Sequence, residues 1–291
     1  MALSPITRKP PRRHLTVVKL NEALDWRRHS SRHHTDMLDL IDTHAHLDDG
    51  AFDADGAAMF QRSVDAGVRR WIVPAIDRGN WEKVEQLAAT RAGIFPAYGL
   101  HPLFLDAHRD AHLDDLPRWL EDHHAVAVGE IGLDFYVEGL DPVRQRDLFA
   151  RQLDIAKELD LPVIVHARRA FEETIHTLRR VGGLRGVVHS FAGSEEQARQ
   201  LFDMGFHIGI GGPVTYERAH RIRRVVASMP IERLLLETDA PDQPCAHRRG
   251  QRNEPAFMLD VLESISALRE ERDEDIAART TANAIQLFAL P

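Results

Sequence analysis

The chain has 291 residues, a formal net charge of −8 and a single cysteine, Cys245. That length suits two ordinary domains or one large α/β domain, and a lone cysteine excludes an intramolecular disulfide. The acidic balance argues against a general nucleic-acid coat but leaves room for a local basic rim, and no apolar run reaches the ~18–20 residues of a membrane span. A soluble protein of a reducing cytoplasm, with no obligate protein partner, is the expectation.

Residues 1–36 differ in composition from the rest of the chain. They carry eight Lys/Arg against three Asp/Glu and lack the long apolar core of a secretory signal. The expectation is a basic extension, mostly disordered, with nucleic-acid contact as a secondary role. Residues 37–291 are expected to form one domain.

From Leu38 onward, short apolar runs recur at 38–44, 70–76, 94–100, 125–131, 161–167, 186–191, 206–212 and 233–239. Most are continuously apolar rather than alternating, as parallel strands buried on both faces should be. The segments between them have helical spacing. "DPVRQRDLFARQLDIAKELD" opens with Pro142, which suits a first helical turn, and "SEEQARQLFDMG" runs from a candidate cap at Ser194 to Gly205. Eight strand–helix units predict a (β/α)8 TIM barrel. An open doubly wound sheet fits less well, because no Gly-rich phosphate loop follows the first strand.

The chemistry-bearing residues gather at one end of this scheme. His44 and His46 follow the first run, Glu130 closes the fourth, His166 the fifth, His189 the sixth and Asp239 the eighth. In a barrel the C-terminal strand ends share one mouth. Each residue alone has a bland reading: a structural histidine, an ion-paired Glu130, a turn-forming Asp239 in "TDAP". Together, four imidazoles and two carboxylates are costly to bury unless something pairs them. They are too many for one tetrahedral ion and suit two divalent ions bridged by a carboxylate. Imidazole with carboxylate favours zinc, manganese, iron or nickel over magnesium alone.

The segments "IDTHAHLDD", "YGLHP", "VGEIGLDF", "QRDLFARQL", "LPVIVHARRA", "GVVHSFAGS", "LLLETDAPDQP", "RNEPAF" and "TTANAIQLF" run in order from Leu38 to Phe288. In this the chain resembles the TatD family of metal-dependent hydrolases and deoxyribonucleases, within the amidohydrolase superfamily. The resemblance implies that His44, His46 and Asp239 bind a first metal, that Glu130 bridges, and that His166 and His189 bind a second. It also implies DNA as substrate and Zn, Mn or Mg as the ions. One position departs: many members have an acidic residue after H-x-R, whereas Arg169 follows Arg168 here.

On this reading Asp239 orients the attacking water and takes its proton, and Glu130 joins it in the catalytic set. Cationic grips on phosphate are expected from Arg168 and His101 and, in the loop "CAHRRGQRNEP", from Arg248 and Arg249. Tyr136 is a candidate for base stacking and Phe135 for the core. Asn253 is expected to cap the helix near Pro255, and Asp48 and Asp49 to be loop residues rather than ligands. Two other readings stand beside the nuclease: hydrolysis of a small amide, ester or lactone by the same centre, and metal binding without catalysis.

Overall fold

Eight strands alternate with helices along the chain. They are β1 (Leu40–Asp42), β2 (Val68–Pro74), β3 (Ile94–Tyr98), β4 (Ala127–Asp134), β5 (Val163–Arg168), β6 (Gly186–Val188), β7 (His207–Ile210) and β8 (Leu234–Leu236). The structure, a computed structural model, describes residues 38–291; the expected basic extension at 1–36 lies outside the described residues. Each strand pairs in parallel with the next, in the order β1 to β8. Closure comes from bonds between the two ends of that series. Thr43 donates to the Leu236 carbonyl through both its amide (3.0 Å) and its hydroxyl (2.9 Å). The predicted TIM barrel is the fold.

The helices are α1 (Gly56–Asp65), α2 (Trp81–Thr90), α3 (Asp110–Asp122), α4 (Pro142–Glu158), α5 (Phe171–Val181), α6 (Glu195–Asp203), α7 (His220–Ser228), α8 (Met258–Ser266) and α9 (Asp273–Phe288). Local chemistry fixes their ends. Asp141 caps α4 through the Val143 amide, with Pro142 in the first turn. Ser194 and Gln197 form a reciprocal capping box on α6, and Gly205 follows that helix at φ 86°, a conformation that favours glycine. No helix among the described residues is long and apolar enough to cross a membrane.

Two apolar layers result. One lies between strands and helices. The other fills the barrel: Ile41, Ile72, Ala97, Ala127, Ile164, Val187 and Leu235, one from each of seven strands, pack against Leu287, Phe288 and Leu290 at the end of the chain. The strands are shorter than several of the apolar runs, while β4 extends past Glu130 to Asp134. Its pairing with β5 shifts register between Val128 and Ile131. Gly132 comes directly after that shift at φ 145°, where a Cβ would lie 2.0 Å from the His166 carbonyl oxygen. Only glycine lets β4 and β5 approach this closely.

Candidate metal centre

β1 ends because Asp42 diverts the backbone beyond it. Its buried carboxylate accepts from the His44 amide (3.2 Å), the Thr238 amide (3.0 Å) and the Thr238 hydroxyl (2.5 Å). The Asp239 amide then donates to the His44 carbonyl, and the His46 amide to that of Ala240. The loops after β1 and β8 are thereby laced together, which delivers His44, His46 and Asp239 as one unit. Burial pushes the Asp42 carboxyl up to about 7 in spite of its hydrogen bonds.

Glu130 stands at the centre, 1% exposed. Its two oxygens face different groups. Oε2 lies 3.2 Å from His44 Nε2 and 3.5 Å from His46 Nε2. Asp239 Oδ1 is 3.6 Å from each of those nitrogens. Oε1 lies 2.7 Å from His189 Nε2 and 3.0 Å from both His166 Nδ1 and His101 Nε2. All six expected ligands therefore converge, and His101 joins them.

Hydrogen bonds assign the imidazole roles. The Leu103 amide donates to His101 Nδ1 (3.2 Å), so Nε2 carries the proton and donates to Glu130. Burial pulls His101 down to about 4, leaving it neutral near pH 7. Its Nε2 is thereby engaged with Glu130, which it orients, while its ring lines the cavity. His166 is the reverse case. Its Nε2 donates to Asp134 Oδ2 (3.0 Å), which leaves a lone pair on Nδ1 directed at Glu130 and His189. A carboxylate behind an imidazole in this way fixes ring and tautomer for a metal ligand.

The donor set fits divalent cations. His44 and His46 bring their Nε2 atoms to 3.3 Å, and His166 Nδ1 meets His189 Nε2 at 3.3 Å. Nitrogens that close share at most one proton or converge on a cation. Electrostatics agree. Burial lowers His189, but Glu130 outweighs it and holds the imidazole up at about 10. Burial likewise opposes the raised value of His166, which Asp134 and Glu130 sustain. His44, buried and next to His189, lies well below the usual histidine range, and burial raises Asp239. The cluster thus demands positive charge at its middle, which protons or divalent ions supply.

A further layer holds these groups in place. Asp134, the last residue of β4, also accepts from the amides of Tyr136 (2.8 Å) and Val137 (3.1 Å). From α4, Gln145 accepts from the Asp134 amide (2.8 Å) and donates to its carbonyl (2.9 Å). Gln152, seven residues later on the same helix face, does the same for Leu100 at 2.7 and 3.1 Å. Glu237, pushed up to about 8 by burial, takes the Ser190 amide and lies 3.9 Å from His189 Nδ1. The Gln243 amide donates to Asp239 Oδ2. Asp239 itself is left-handed at φ 58°, a non-glycine conformation worth about 1 kcal/mol or more of strain.

The centre opens into a cavity of about 950 Å³ lined also by Asp48, Asn80, Tyr136, Arg168, Arg169 and Arg221. Arg168 is there as expected, 3.7 Å above the Tyr136 ring. That guanidinium covers the ring proposed for base stacking, while Phe135 packs against the core as expected. Arg248 and Arg249 are not part of this lining. Arg248 lies over Phe257 (3.6 Å) and bonds Asp260 (3.2 Å) instead. Asn253 does not cap a helix: its amide donates to the carbonyls of Thr238 and Asp242 (2.8 Å each), bracing the loop that carries Asp239. Asp49 caps a short 3-10 turn and Asp48 accepts from Asn80 (2.7 Å), in keeping with loop roles. Sequence reasoning missed Asp134, Glu237 and Arg221; only Asp134, four residues after Glu130 in "EIGLD", had a local signal.

Comparison with known proteins agrees with this site. The family profile described as TatD related DNase matches residues 41–289. The uncharacterized metal-dependent hydrolase YjjV of Escherichia coli is 42% identical over 255 residues, 87% of this chain and 98% of that protein. YabD of Bacillus subtilis, also named an uncharacterized metal-dependent hydrolase, is 37% identical over 86% of this chain and 99% of its own length. The crystal structure of YjjV, a TatD homolog, superposes with a TM-score of 0.84 at 41% identity, covering 87% of this chain and 98% of that one. With an eight-stranded barrel, a buried His/Glu/Asp cluster at its mouth and relatives matched over nearly their whole length, this chain belongs to the TatD family of metal-dependent hydrolases.

Proposed function

We propose that the protein is a phosphodiesterase acting on DNA through two divalent ions, Zn, Mn or Mg. The observation that carries the two-ion reading is the division of labour at Glu130. Its Oε2 faces His44, His46 and the nearby Asp239, and its Oε1 faces His166 and His189. These residues would hold one ion on each side of the shared carboxylate. When bound, such ions lower the pKa of water and neutralise charge on a phosphoryl group.

The chain's own residues do the remaining work. Asp239, with Oδ2 held by Gln243, offers Oδ1 to orient the attacking water and accept its proton. His101 donates to Glu130 and keeps that carboxylate in register with both sets of imidazoles. Arg168 lines the cavity and grips a non-bridging phosphate oxygen. Arg248 and Arg249, off the cavity, reach only more distant parts of a polymer. A location in the reducing cytoplasm suits the single buried thiol.

The test is cleavage of single-stranded and nicked DNA by the protein with Mn²⁺, Zn²⁺ or Mg²⁺, beside Asp239→Asn. Metal-dependent cleavage that the substitution abolishes is the expected result. Equal cleavage by the variant, or turnover of simple esters with none of DNA, overturns the reading.

A further inference from the structure

Three arginines of the cavity wall stand apart from most others in the barrel. Arg144, Arg146, Arg151, Arg185 and Arg252 all lie against carboxylates. Arg168, Arg169 and Arg221 have no carboxylate within ion-pair distance among the described residues, and all three line the cavity that holds the metal centre. Strand alternation would send Arg168 and Arg169 to opposite sides at the end of β5. It does not, because Arg169 is left-handed at φ 53°. Both guanidinium groups consequently reach the same Tyr136 ring, at 3.7 and 4.7 Å. Asp134 fixes the Tyr136 amide and, with its other oxygen, His166. The arginine wall is therefore tied to the metal ligands through one carboxylate. Arg221, from the first turn of α7, lines the same cavity.

We propose that Arg169 and Arg221, beside the Arg168 that grips the phosphate being cut, form an anion subsite that takes a second phosphate of the substrate, one removed from that bond. The inference rests on the phosphodiesterase reading and extends it to a substrate class: molecules carrying two phosphate groups. Guanidinium forks match phosphate oxygens in pairs, and unpaired ones give up no existing ion pair to do so. The second phosphate is either the next internucleotide phosphate or a terminal phosphomonoester.

The test uses metal-loaded wild type, Arg169→Ala, Arg221→Ala and, as a charge control on the exposed face of α3, Arg118→Ala. Calorimetry with thymidine 3′,5′-bisphosphate against thymidine 5′-monophosphate reads the subsite without hydrolysis. Wild type and Arg118→Ala should prefer the bisphosphate by about tenfold or more, and each of the other two variants should lose most of that preference. No preference in wild type, or one that survives in both Arg169→Ala and Arg221→Ala, overturns the proposal. Relative kcat/KM for a trinucleotide and a terminally phosphorylated dinucleotide then separates the two phosphate sources. If no DNA is cleaved while the bisphosphate preference persists, the nuclease reading falls and the subsite stands.

Discussion

The barrel interior is built in two styles along the same strands. Ile41, Ala97, Ala127, Ile164, Val187 and Leu235 are apolar, wholly or almost wholly buried, and packed under the C-terminal helix α9. Two to four residues further along those strands come His44, His101, Glu130, His166, His189 and Asp239. The lower layer has dispersion and the hydrophobic effect to hold it together. The upper layer concentrates buried carboxylates and imidazoles that oppose burial unless a cation joins them. One region stabilises the protein and the other is made useful by being unsatisfied.

That contrast is open to direct attack. Glu130→Ala should lower hydrolysis by about a thousandfold or more and reduce bound metal, while the melting temperature in chelator moves far less. A large loss of apo stability with activity retained would reverse the assignment of the two layers. Ile164→Ala, one layer down, should do the opposite: about 3–4 kcal/mol less stable to denaturant, with metal stoichiometry kept.

Next in size is Asp134→Asn, which leaves His166 Nε2 without its carboxylate. Metal affinity should fall by about 10–100-fold in a competition titration; an unchanged affinity would show that Asp134 serves only the loop at Tyr136. Chelation of wild type should lower its melting temperature and added Mn²⁺ or Zn²⁺ restore it, because ligand bound only by the folded state stabilises it.

The smallest effect tests a histidine away from the mouth. Burial pulls His207 down to about 4. Above about pH 6.5 it is neutral in both folded and unfolded chains and contributes no pH dependence. Between about 6.5 and 4 the unfolded chain binds the proton and the folded one does not, so stability falls as pH falls. His207→Gln should flatten the melting curve in that window relative to wild type. Identical pH profiles would show that His207 does not carry the acid sensitivity.

The legibility of each feature in the sequence depended on how local its signal was. Ligands that directly follow apolar runs could be read one strand at a time, and the barrel then brought them together. Partners distant in sequence could not. Asp42 meets Thr238 across 196 positions, and Gln152 meets Leu100 across 52. The arginines of "HRRGQR" looked like rim cations because their density was visible and their partners were not. Asp260 and Asp55 claim Arg248 and Arg252. Arg221, in a plain amphipathic helix, gave no sign of facing the cavity. The first apolar run, 38–44, outlasts β1, which ends at Asp42, whose side chain takes the His44 amide.

Gln145 and Gln152 carry one last implication. A carboxylate or imidazole in their place could clamp Leu100 and Asp134 only in one protonation state. A carboxamide has a donor and an acceptor at every pH. The clamps on Leu100 and Asp134 are thus blind to protons, whereas the carboxyls of Asp42 and Glu237, pushed up to about 7 and 8 by burial, are not: a change of pH reaches the frame through the loops after β1 and β6 and leaves the face of α4 untouched.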